Sequence, residues 1–272
     1  MDRDPPDAPH IPENEQMSFK SYLFSAFTLA EFELRKLRHD TSQIWLRSVQ
    51  PALWLLVFGT VFSKIRGITS GPFSYRQFMT PGILAQSVMF VAIFYGITVV
   101  WERDLGLLNK LLSTPVPRSA IVLGKALSAG VRGIFQAIAV LGLALIIRVH
   151  LSLSLLNVLC VFVIIILFGM CFSSLSMSLA PIFRTRERMM GIGQAITMPL
   201  FFASNAIYPL SLMPGWLKAI AVVNPLSYVV DAMRALLVTG DFSSLAQDIL
   251  ALLIATAAMV TIASLSFRKI LV

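Results

Sequence analysis

Charged residues are scarce in this sequence. Asp, Glu, Lys and Arg make up 13% of its 272 residues, whereas apolar residues make up 57% and the mean hydropathy is +0.79. A soluble domain carries roughly 25% charged residues. The scarcity of charge excludes an ordinary soluble domain and predicts an all-α protein that crosses a membrane several times.

The apolar runs also lack the ionisable groups that chemistry inside a membrane requires. No Asp, Glu or His lies near the middle of a predicted span, and carboxylates or histidines are the groups that a proton relay ordinarily uses. Gly-x-Ser-x-Gly, His-Glu-x-x-His and Cys/His ligand spacings are missing too. These absences argue against proton-driven transport and hydrolase chemistry, so we predict no catalytic and no metal-binding residue.

A phosphate-binding loop is likewise missing. The nearest match, Gly124-Lys125-Ala126, lacks a first glycine at the right distance and the Ser or Thr that would hold Mg²⁺. The chain is therefore expected to carry no cofactor of its own. Any ATP that it uses, with its Mg²⁺, would be bound by a separate chain.

Cysteine is rare, and a cleavable signal sequence is not recognisable. Cys160 and Cys171 both fall in one predicted span, about 16 Å apart along a helix axis, so they are not expected to pair. Residues 1–17 are acidic and proline-rich, which predicts a disordered tail and leaves the first span as a permanent anchor.

Six apolar runs are long enough to cross a bilayer, at about 20 residues a crossing. They lie at 46–64, 79–100, 120–147, 155–180, 190–209 and 247–267. Of the 22 lysines and arginines, sixteen fall on the side of both termini and of residues 101–119, and six fall on the other side. The positive-inside rule then predicts a multi-pass protein of the plasma or inner membrane with both termini cytoplasmic. Topology and attraction to anionic lipid explain the net charge of +8, so no nucleic-acid partner is predicted.

Residues 18–40 have the pattern of an amphipathic helix that lies in the membrane interface. Apolar residues recur at steps of three and four from Phe19 to Leu37, and most charged residues, among them Glu31 and Arg35, lie off that stripe. The helix is either a simple anchor or one half of a docking surface for a cytoplasmic partner.

A charged patch separates the second and third predicted spans. Residues 102–112 read as one short helix, with Glu102 and Asp104 in its first turn and Lys110 in its last, an arrangement that suits the helix dipole. Gly106 costs this helix about 1 kcal/mol of propensity. The helix either connects two spans along the interface or docks a soluble protein.

Two Pro-containing sites predict helix starts, Thr80-Pro81 before the second span and Asn224-Pro225 before residues 226–238. The second helix is too short for a comfortable crossing, and Pro209 and Pro214 break the chain before it. Residues 210–238 are therefore predicted to form a re-entrant helical hairpin before the last span.

A row of basic residues and a group of aromatic residues bear on which cargo the protein could transport. Arg118, Lys125 and Arg132 recur every seven residues and share a helix face, which either extends toward lipid phosphates or forms a positive access path for an anionic cargo. Phe90 and Phe94 share a face of the second span and Phe201 lies in the fifth, either as packing or as a hydrophobic substrate path.

The stretch ERDLGLLNKLLSTPVPRSAIVLGK resembles the cytoplasmic loop of ABC-2 type exporter permeases, the group that includes daunorubicin-type drug exporters. NPLSYVVDAMRALLVTG resembles the same family's segment before its last span. After the tail over 1–17, which its composition predicts to be disordered, the resemblance implies an interface helix over 18–40 and an ABC-2 transmembrane domain over 41–272.

The resemblance also implies roles for individual residues. Those implied to contact the ATPase are Glu102, Arg103, Asp104, Leu107 and Lys110 in the coupling helix, with Glu31 and Arg35 in the interface helix. Those that match family motifs are Thr114, Pro115 and Arg118 after the coupling helix, and Asn224, Pro225, Tyr228, Asp231 and Arg234 near the extracellular exit. Asp231 and Arg234 can also form an ion pair without any functional role.

The function implied is that of the membrane subunit of an ABC exporter, not an enzyme by itself, which moves a hydrophobic or amphipathic molecule outward. Its expected partners are a separate P-loop ATPase, a second copy of the chain or a close paralogue, and membrane lipid. Export of a polysaccharide or glycolipid is the nearer alternative. An ATP-independent membrane channel or scaffold is the alternative from another class.

Overall fold

The computed structural model describes residues 19–37, 42–62, 73–114, 116–183 and 185–267. The predicted tail over 1–17, the last residues of the predicted interface helix and Pro115 lie outside this part of the chain. The described residues form helices and contain no strand, which confirms the all-α prediction for them. The helices are α1 (Phe19–Leu37), α2 (Ser42–Leu53), α3 (Gly59–Phe62), α4 (Tyr75–Asp104), α5 (Leu107–Leu112), α6 (Arg118–Ile146), α7 (Leu155–Leu179), α8 (Arg186–Phe202), α9 (Gly215–Val223), α10 (Pro225–Arg234) and α11 (Leu245–Phe267).

Four of these helices are long and apolar enough to cross a membrane, namely α4, α6, α7 and α11. They correspond to the predicted second, third, fourth and sixth spans. The fifth predicted span is shorter, because α8 ends at Phe202. Of the first predicted span the structure describes the apolar helix Leu46–Phe62, and residues 63–64 lie outside the described residues. Ser204 and Asn205, which favour turns, follow the end of α8. Six full-length spans are therefore not confirmed.

The segment before the last span is divided into two helices by a bend, as predicted. Helix α9 and the stretch Pro225–Thr239, which includes α10 and a π-helical turn, meet at 80° and could together count as a fifth span. The bend lies at Asn224, which is the N-cap of α10, and Pro225 occupies the first helical position. The predicted helix start at Asn224-Pro225 is confirmed.

Helix α4 is the central element of the bundle. In its most apolar 18-residue stretch 83% of the residues are buried, against 44%, 39% and 17% in α6, α7 and α11. It begins earlier than predicted, because Ser74 and Gln77 form a capping box in which each side chain bonds the other's backbone N–H. Thr80-Pro81 is therefore not a helix start, and Pro81 lies inside the helix.

Glycines allow α6 and α7 to pack backbone against backbone. A Cβ atom placed on Gly130 would lie 2.6 Å from the carbonyl oxygen of Ile166, and one on Gly169 would lie 2.7 Å from the Cα of Gly130. Contacts this short leave no room for a side chain, as in other membrane helix pairs that depend on small residues. The small residues of α7 thus pack inside the chain.

We expect Gly130→Ala to lower the free energy of unfolding by about 1–3 kcal/mol, because the two backbones must separate. Gly142→Ala, on the same helix, is the matched control, since a Cβ there meets no atom within 4 Å. The control should leave stability unchanged or raise it by up to about 1 kcal/mol through helix propensity. Thermal unfolding in detergent, followed by circular dichroism, measures both. Equal effects of the two substitutions would contradict the packing account.

Candidate functional site

The predicted helix over 102–112 is two helices in the structure, which corrects the prediction of a single coupling helix. Helix α4 continues through Glu102 and ends at Asp104, and α5 begins at Leu107. Gly106, between them, has φ +71°, the left-handed conformation in which helices commonly end. Its N–H donates to the carbonyl oxygen of Arg103 at 3.0 Å. The glycine that weakened the predicted helix is the residue that ends it.

Helix α5 presents an exposed surface at this end of the bundle, which we call the Asp104 end. Leu108 is fully buried in a cluster with Val99 and Phe267, so it fixes α5 against α4 and α11. Leu107 and Lys110 are exposed. A short helix anchored by one leucine and exposing a neighbouring leucine and lysine can bind another protein.

The two charged residues at the end of α4 face the start of α8. An oxygen of Asp104 lies 3.4 Å from a guanidinium nitrogen of Arg103, and its other oxygen lies 3.5 Å from Nε of Arg186. The Arg186 guanidinium also lies 5.7 Å from the ring centroid of Trp101. These partly exposed contacts connect α4 and α8 at the Asp104 end, and Asp104 remains accessible there.

Glu102 is placed differently, because its carboxylate points into the bundle. Lys125 Nζ lies 2.6 Å from Oε2 of Glu102 and 3.0 Å from Oε1 of Glu33. The side chains of Lys125, Glu33 and Glu102 are 1%, 2% and 12% exposed. We call these three residues the ion triad. It joins α1, α4 and α6, and Glu102 holds these helices together instead of lying on the exposed surface beside α5.

Glu33 is the residue of this site that sequence reasoning missed. On α1 it lies on one face with Ala26 and Ala30, and all three are buried. A Cβ on Gly124 of α6 would lie 2.7 Å from the carbonyl oxygen of Ala26, so the two helices are in close contact there. The small residues at 26 and 30 with an acid at 33 were the available signal. The predicted stripe from Phe19 to Leu37 shares Ala30 with this face, but its Phe27 is exposed.

Arg132 strengthens the contact between α6 and α1. Its Nη2 donates to the backbone carbonyl of Glu33 at 2.7 Å, and its guanidinium lies 4.4 Å from the ring centroid of Tyr95. Arg118, seven residues before Lys125, is exposed at the start of α6. Of the three cations on the predicted face, the structure thus holds two against neighbouring helices. A cargo could reach Lys125 only if the ion triad opened.

The remaining predicted contacts with an ATPase lie on the surface. Glu31 and Arg35 form an exposed ion pair of 2.7 Å on α1. Thr114, which was predicted as a family-motif residue and not as an ATPase contact, is also exposed after α5, and its hydroxyl donates to the carbonyl oxygen of Leu111 at 2.5 Å. Their predicted roles stay predictions, and the structure shows that these residues are accessible.

The motif residues at the bend between α9 and α10 hold several chain segments together. The Asn224 amide donates to the carbonyl oxygens of Leu200 and Ala203 at 2.7 and 2.9 Å, and its oxygen accepts from the N–H of Leu226. The Tyr228 hydroxyl donates to the carbonyl oxygen of Val222 at 2.6 Å. Asn224 thereby satisfies free carbonyls at the end of α8 while it caps α10.

Arg234 makes the contact that joins this region to α4. Its Nη1 donates to Oδ1 of Asp231 at 2.9 Å, and its Nη2 donates to the carbonyl oxygen of Asn205 at 2.8 Å. Its guanidinium lies 4.0 Å from the ring centroid of Phe78. Phe78 is in the first turns of α4, at the opposite end from Glu102. One helix thus contacts both predicted motif regions.

A cavity of about 340 Å³ lies between α2, α4 and α8. Its lining residues are Leu46, Arg47, Gln50, Pro51, Gln86, Ser87, Phe90, Phe94 and Gln194. Phe90 and Phe94, both predicted for a substrate path, stack with centroids 6.0 Å apart. Phe201, the third predicted aromatic, is buried against Trp54 and does not line this cavity. Within the part of the chain that the structure describes, no group of His, Cys, Asp and Glu could hold a metal ion.

The geometry is that of a helical protein with four helices long and apolar enough to cross a membrane, an exposed short helix at one end, and a cavity between α2, α4 and α8. The sequence profile of the ABC-2 type transporter family matches residues 25–238, from within α1 through α10. The chain belongs to the ABC-2 type transporter family.

Several curated proteins are similar over about 70% of the chain. The putative transport permease ycf38 of Cyanophora paradoxa is 29% identical over 191 residues, 69% of this chain and 65% of the relative, so the chain spans just under two thirds of that protein. The daunorubicin resistance ABC transporter permease protein DrrB1 of Streptomyces coeruleorubidus is 25% identical over 70% of this chain and 66% of its own length. The inner membrane transport permease YadH of Escherichia coli K12 is 25% identical over 72% of this chain and 77% of its own length.

Lys125→Met should lower the free energy of unfolding by about 3–5 kcal/mol, because it removes a buried cation from between two carboxylates. Lys110→Met, at an exposed position on α5, is the control and should be close to neutral. The triple variant Lys125→Met/Glu33→Gln/Glu102→Gln should recover much of the loss, since no buried charge of the triad remains. Thermal unfolding in detergent, followed by tryptophan fluorescence, measures all three. Wild-type stability of Lys125→Met would show that the triad is not a structural contact.

Substitutions at Asn224 separate its two roles. Asn224→Asp keeps the oxygen that caps α10 but replaces the amide donor, so a carboxylate would face two carbonyl oxygens. We expect it to destabilise the protein by at least about 1–3 kcal/mol, the cost of leaving buried polar groups unsatisfied. Asn224→Ala loses the cap as well. If Asn224→Asp unfolded at the wild-type temperature, the contacts with Leu200 and Ala203 would contribute nothing.

Proposed function

We propose that this chain is the membrane subunit of an ABC exporter that moves a hydrophobic or amphipathic molecule, such as a drug, natural product or lipid, out of the cell. Two such subunits, identical or closely related, would pair with two copies of a P-loop ATPase that bind ATP and Mg²⁺. Both termini and the Asp104 end would face the cytoplasm. The observation that carries this proposal is the exposed α5 surface, set at the end of the most buried helix of an ABC-2 family member.

The α5 surface suits an ATPase contact because it is both exposed and fixed. Leu107 and Lys110 face outward, while Leu108 holds α5 in the bundle. A displacement applied to α5 therefore acts on α4 within a few residues. Asp104 lies at the same end, and Glu31 and Arg35 on α1 are further accessible charges.

Movement of α4 would reach the far side of the membrane through contacts already described. The ion triad ties the inner end of α4 to α1 and α6, so these three helices move as a group. At the other end, Phe78 carries the Arg234 guanidinium, and Arg234 bonds the turn after α8. The rigid 30-residue α4 connects the two. Nucleotide that favours one arrangement of the ATPase pair would then favour one arrangement of the permease pair.

The cargo assignment rests on the cavity beside Phe90 and Phe94. Its lining combines the aromatic rings of Phe90 and Phe94 with several polar side chains, which suits a molecule that has both apolar and polar parts. The name of DrrB1 associates that relative with resistance to daunorubicin. A small amphipathic cargo fits a cavity of about 340 Å³ better than a long glycan does.

Purification of the tagged protein from its native membrane in mild detergent tests the assignment. We expect a P-loop ATPase to co-purify in equal amount. Leu107→Asp and Lys110→Glu should reduce that recovery by about tenfold or more, because they place a charge, or reverse one, in the contact. Leu212→Asp and Lys218→Glu are matched controls at exposed positions on and before α9, and should retain the ATPase.

Membrane insertion and thermal stability of all four variants are measured in parallel, so that loss of the ATPase is not confused with misfolding. If the wild-type chain is recovered without an ATPase after gentle crosslinking, the proposal fails and an ATP-independent channel or scaffold replaces it. Equal loss in the α5 variants and the controls would remove α5 as the contact surface.

A further inference from the structure

Three aromatic rings lie next to the cavity between α2, α4 and α8, on the side away from the Asp104 end. In the helix that continues from α2, Trp54 follows Gln50 of the cavity lining by about one turn. In α8, which begins at the Asp104 end, Phe201 follows Gln194 of the lining by about two turns. We call Trp54, Phe201 and Phe202 the ring cluster.

The rings of this cluster are in mutual contact. Trp54 meets Phe201 edge-on with ring centroids 5.7 Å apart, and its centroid lies 6.5 Å from that of Phe202. The two phenylalanines lie 5.7 Å apart. Phe201 is fully buried, whereas Phe202 is 45% exposed. The ring cluster thus bridges α8 and the helix that carries Trp54, just beyond the cavity.

The neighbouring wall, between α4 and the turn after α8, is closed by backbone contact. A Cβ atom placed on Gly82 would lie 2.7 Å from the Cα of Ala206. Gly82 is about one helical turn from the cavity residues of α4, on the same side of the cavity as the ring cluster. A contact this close leaves no room for a side chain between the two segments. Rings on one side and backbone on the other therefore border this end of the cavity.

The two sides of the ring cluster are held differently. The end of α8 that carries Phe201 is bonded by Asn224, whose amide donates to two of its carbonyl oxygens. Trp54 instead begins a π-helical turn that ends at Phe58, and Phe58 stacks on it with centroids 4.4 Å apart. Turns of this kind are rare and frequently lie at functional sites.

We infer that the ring cluster is the outer gate of the cavity, which is closed in this arrangement and opens when Trp54 separates from Phe201 and Phe202. This inference rests on the proposed function, because it names the residues that control release of the cargo. A change from π-helical to α-helical bonding after Trp54 would rotate its ring relative to α8. Because Asn224 joins the end of α8 to the bend between α9 and α10, movement of that bend would displace the other half of the gate.

The accessibility of a thiol inside the cavity tests the gate. Gln194→Cys places the thiol in the lining, in a chain whose own thiols are removed by Cys160→Ala and Cys171→Ala. Right-side-out vesicles of the native membrane are treated with 2-(trimethylammonium)ethyl methanethiosulfonate, which does not cross membranes. Reaction in detergent gives the total amount of reactive thiol. With all three rings intact, we expect slow labelling from outside.

Variants of the rings assign this protection to the gate. Trp54→Ala should raise the labelling rate at least about tenfold, because it removes both ring contacts across the gate, whereas Trp54→Phe should stay close to the original rate. Phe202→Ala should raise the rate by a smaller factor. Its matched control is Phe135→Ala on α6, since both rings are 45% exposed and Phe135 is not among the described residues of the lining. Thermal unfolding of every variant is measured in parallel. If Trp54→Ala does not fold, the comparison of Phe202→Ala with Phe135→Ala decides.

Equal labelling rates in Phe202→Ala and Phe135→Ala would overturn the inference, as would rapid labelling from outside with all rings intact. Absence of labelling from outside in every variant would also overturn it, because the cavity would then not lead outward through the rings. Co-purification with the P-loop ATPase is measured on the same membranes. A chain that retains the ATPase but shows no dependence on the rings keeps the proposed function and loses only this inference. A chain that shows the dependence without an ATPase loses the proposed function and keeps a gated cavity.

Discussion

The buried ammonium of Lys125 is the contact on which the arrangement of the Asp104 end depends. Removing a lysine and two carboxylates from water costs several kcal/mol for each ion, and only close pairing offsets it. Here the two oxygens lie 2.6 and 3.0 Å from one nitrogen, on side chains from two other helices. Such a cluster adds little stability over an apolar core. What it adds is specificity, because a shift of α1 or α4 along α6 would separate buried charges.

The placement of α1 shows why this specificity is needed. Its apolar residues Phe24, Phe27 and Phe32 are exposed, and its close contact with Gly124 of α6 is made by Ala26 and Leu29. Apolar burial alone would allow α1 to slide or rotate on the bundle. Glu33, held at its carboxylate by Lys125 and at its carbonyl by Arg132, fixes one register. The helix proposed to rest beside the ATPase is thereby connected to α4, the helix that leads to α5.

Sequence reasoning succeeded where the signal is local and failed where it depends on partners far along the chain. Long apolar runs predicted α4, α6, α7 and α11, and the Asn-Pro pair predicted the start of α10, because hydropathy and capping act over a few residues. Gly106 was assigned a helical conformation because propensity alone does not reveal a positive φ. The start of α4 was misplaced because Pro81 is compatible with a helix that a capping box had already begun at Ser74.

The candidate site was predicted in part for the same reason. Leu107 and Lys110 are exposed as a docking role requires, and Phe90 and Phe94 line a cavity. The partners of Lys125 could not be read from its seven-residue spacing with Arg118 and Arg132, because Glu33 is 92 positions away and belongs to a helix whose buried face was assigned differently. Pairing of buried charges is a property of the assembled bundle.

The separation of Glu33 and Lys125 along the chain also has a consequence for how the protein is synthesised. Glu33 and Glu102 share Lys125, and Arg132 donates to the backbone carbonyl of Glu33, but these residues emerge from the ribosome far apart in time. Glu33 can reach neither Lys125 nor Arg132 until α6 has been synthesised. Helix α1 precedes α4 and α6 in the chain, so it can dock in its final register only after these two helices have met in the bilayer. Until then α1 lacks the two contacts with α6 that fix its register.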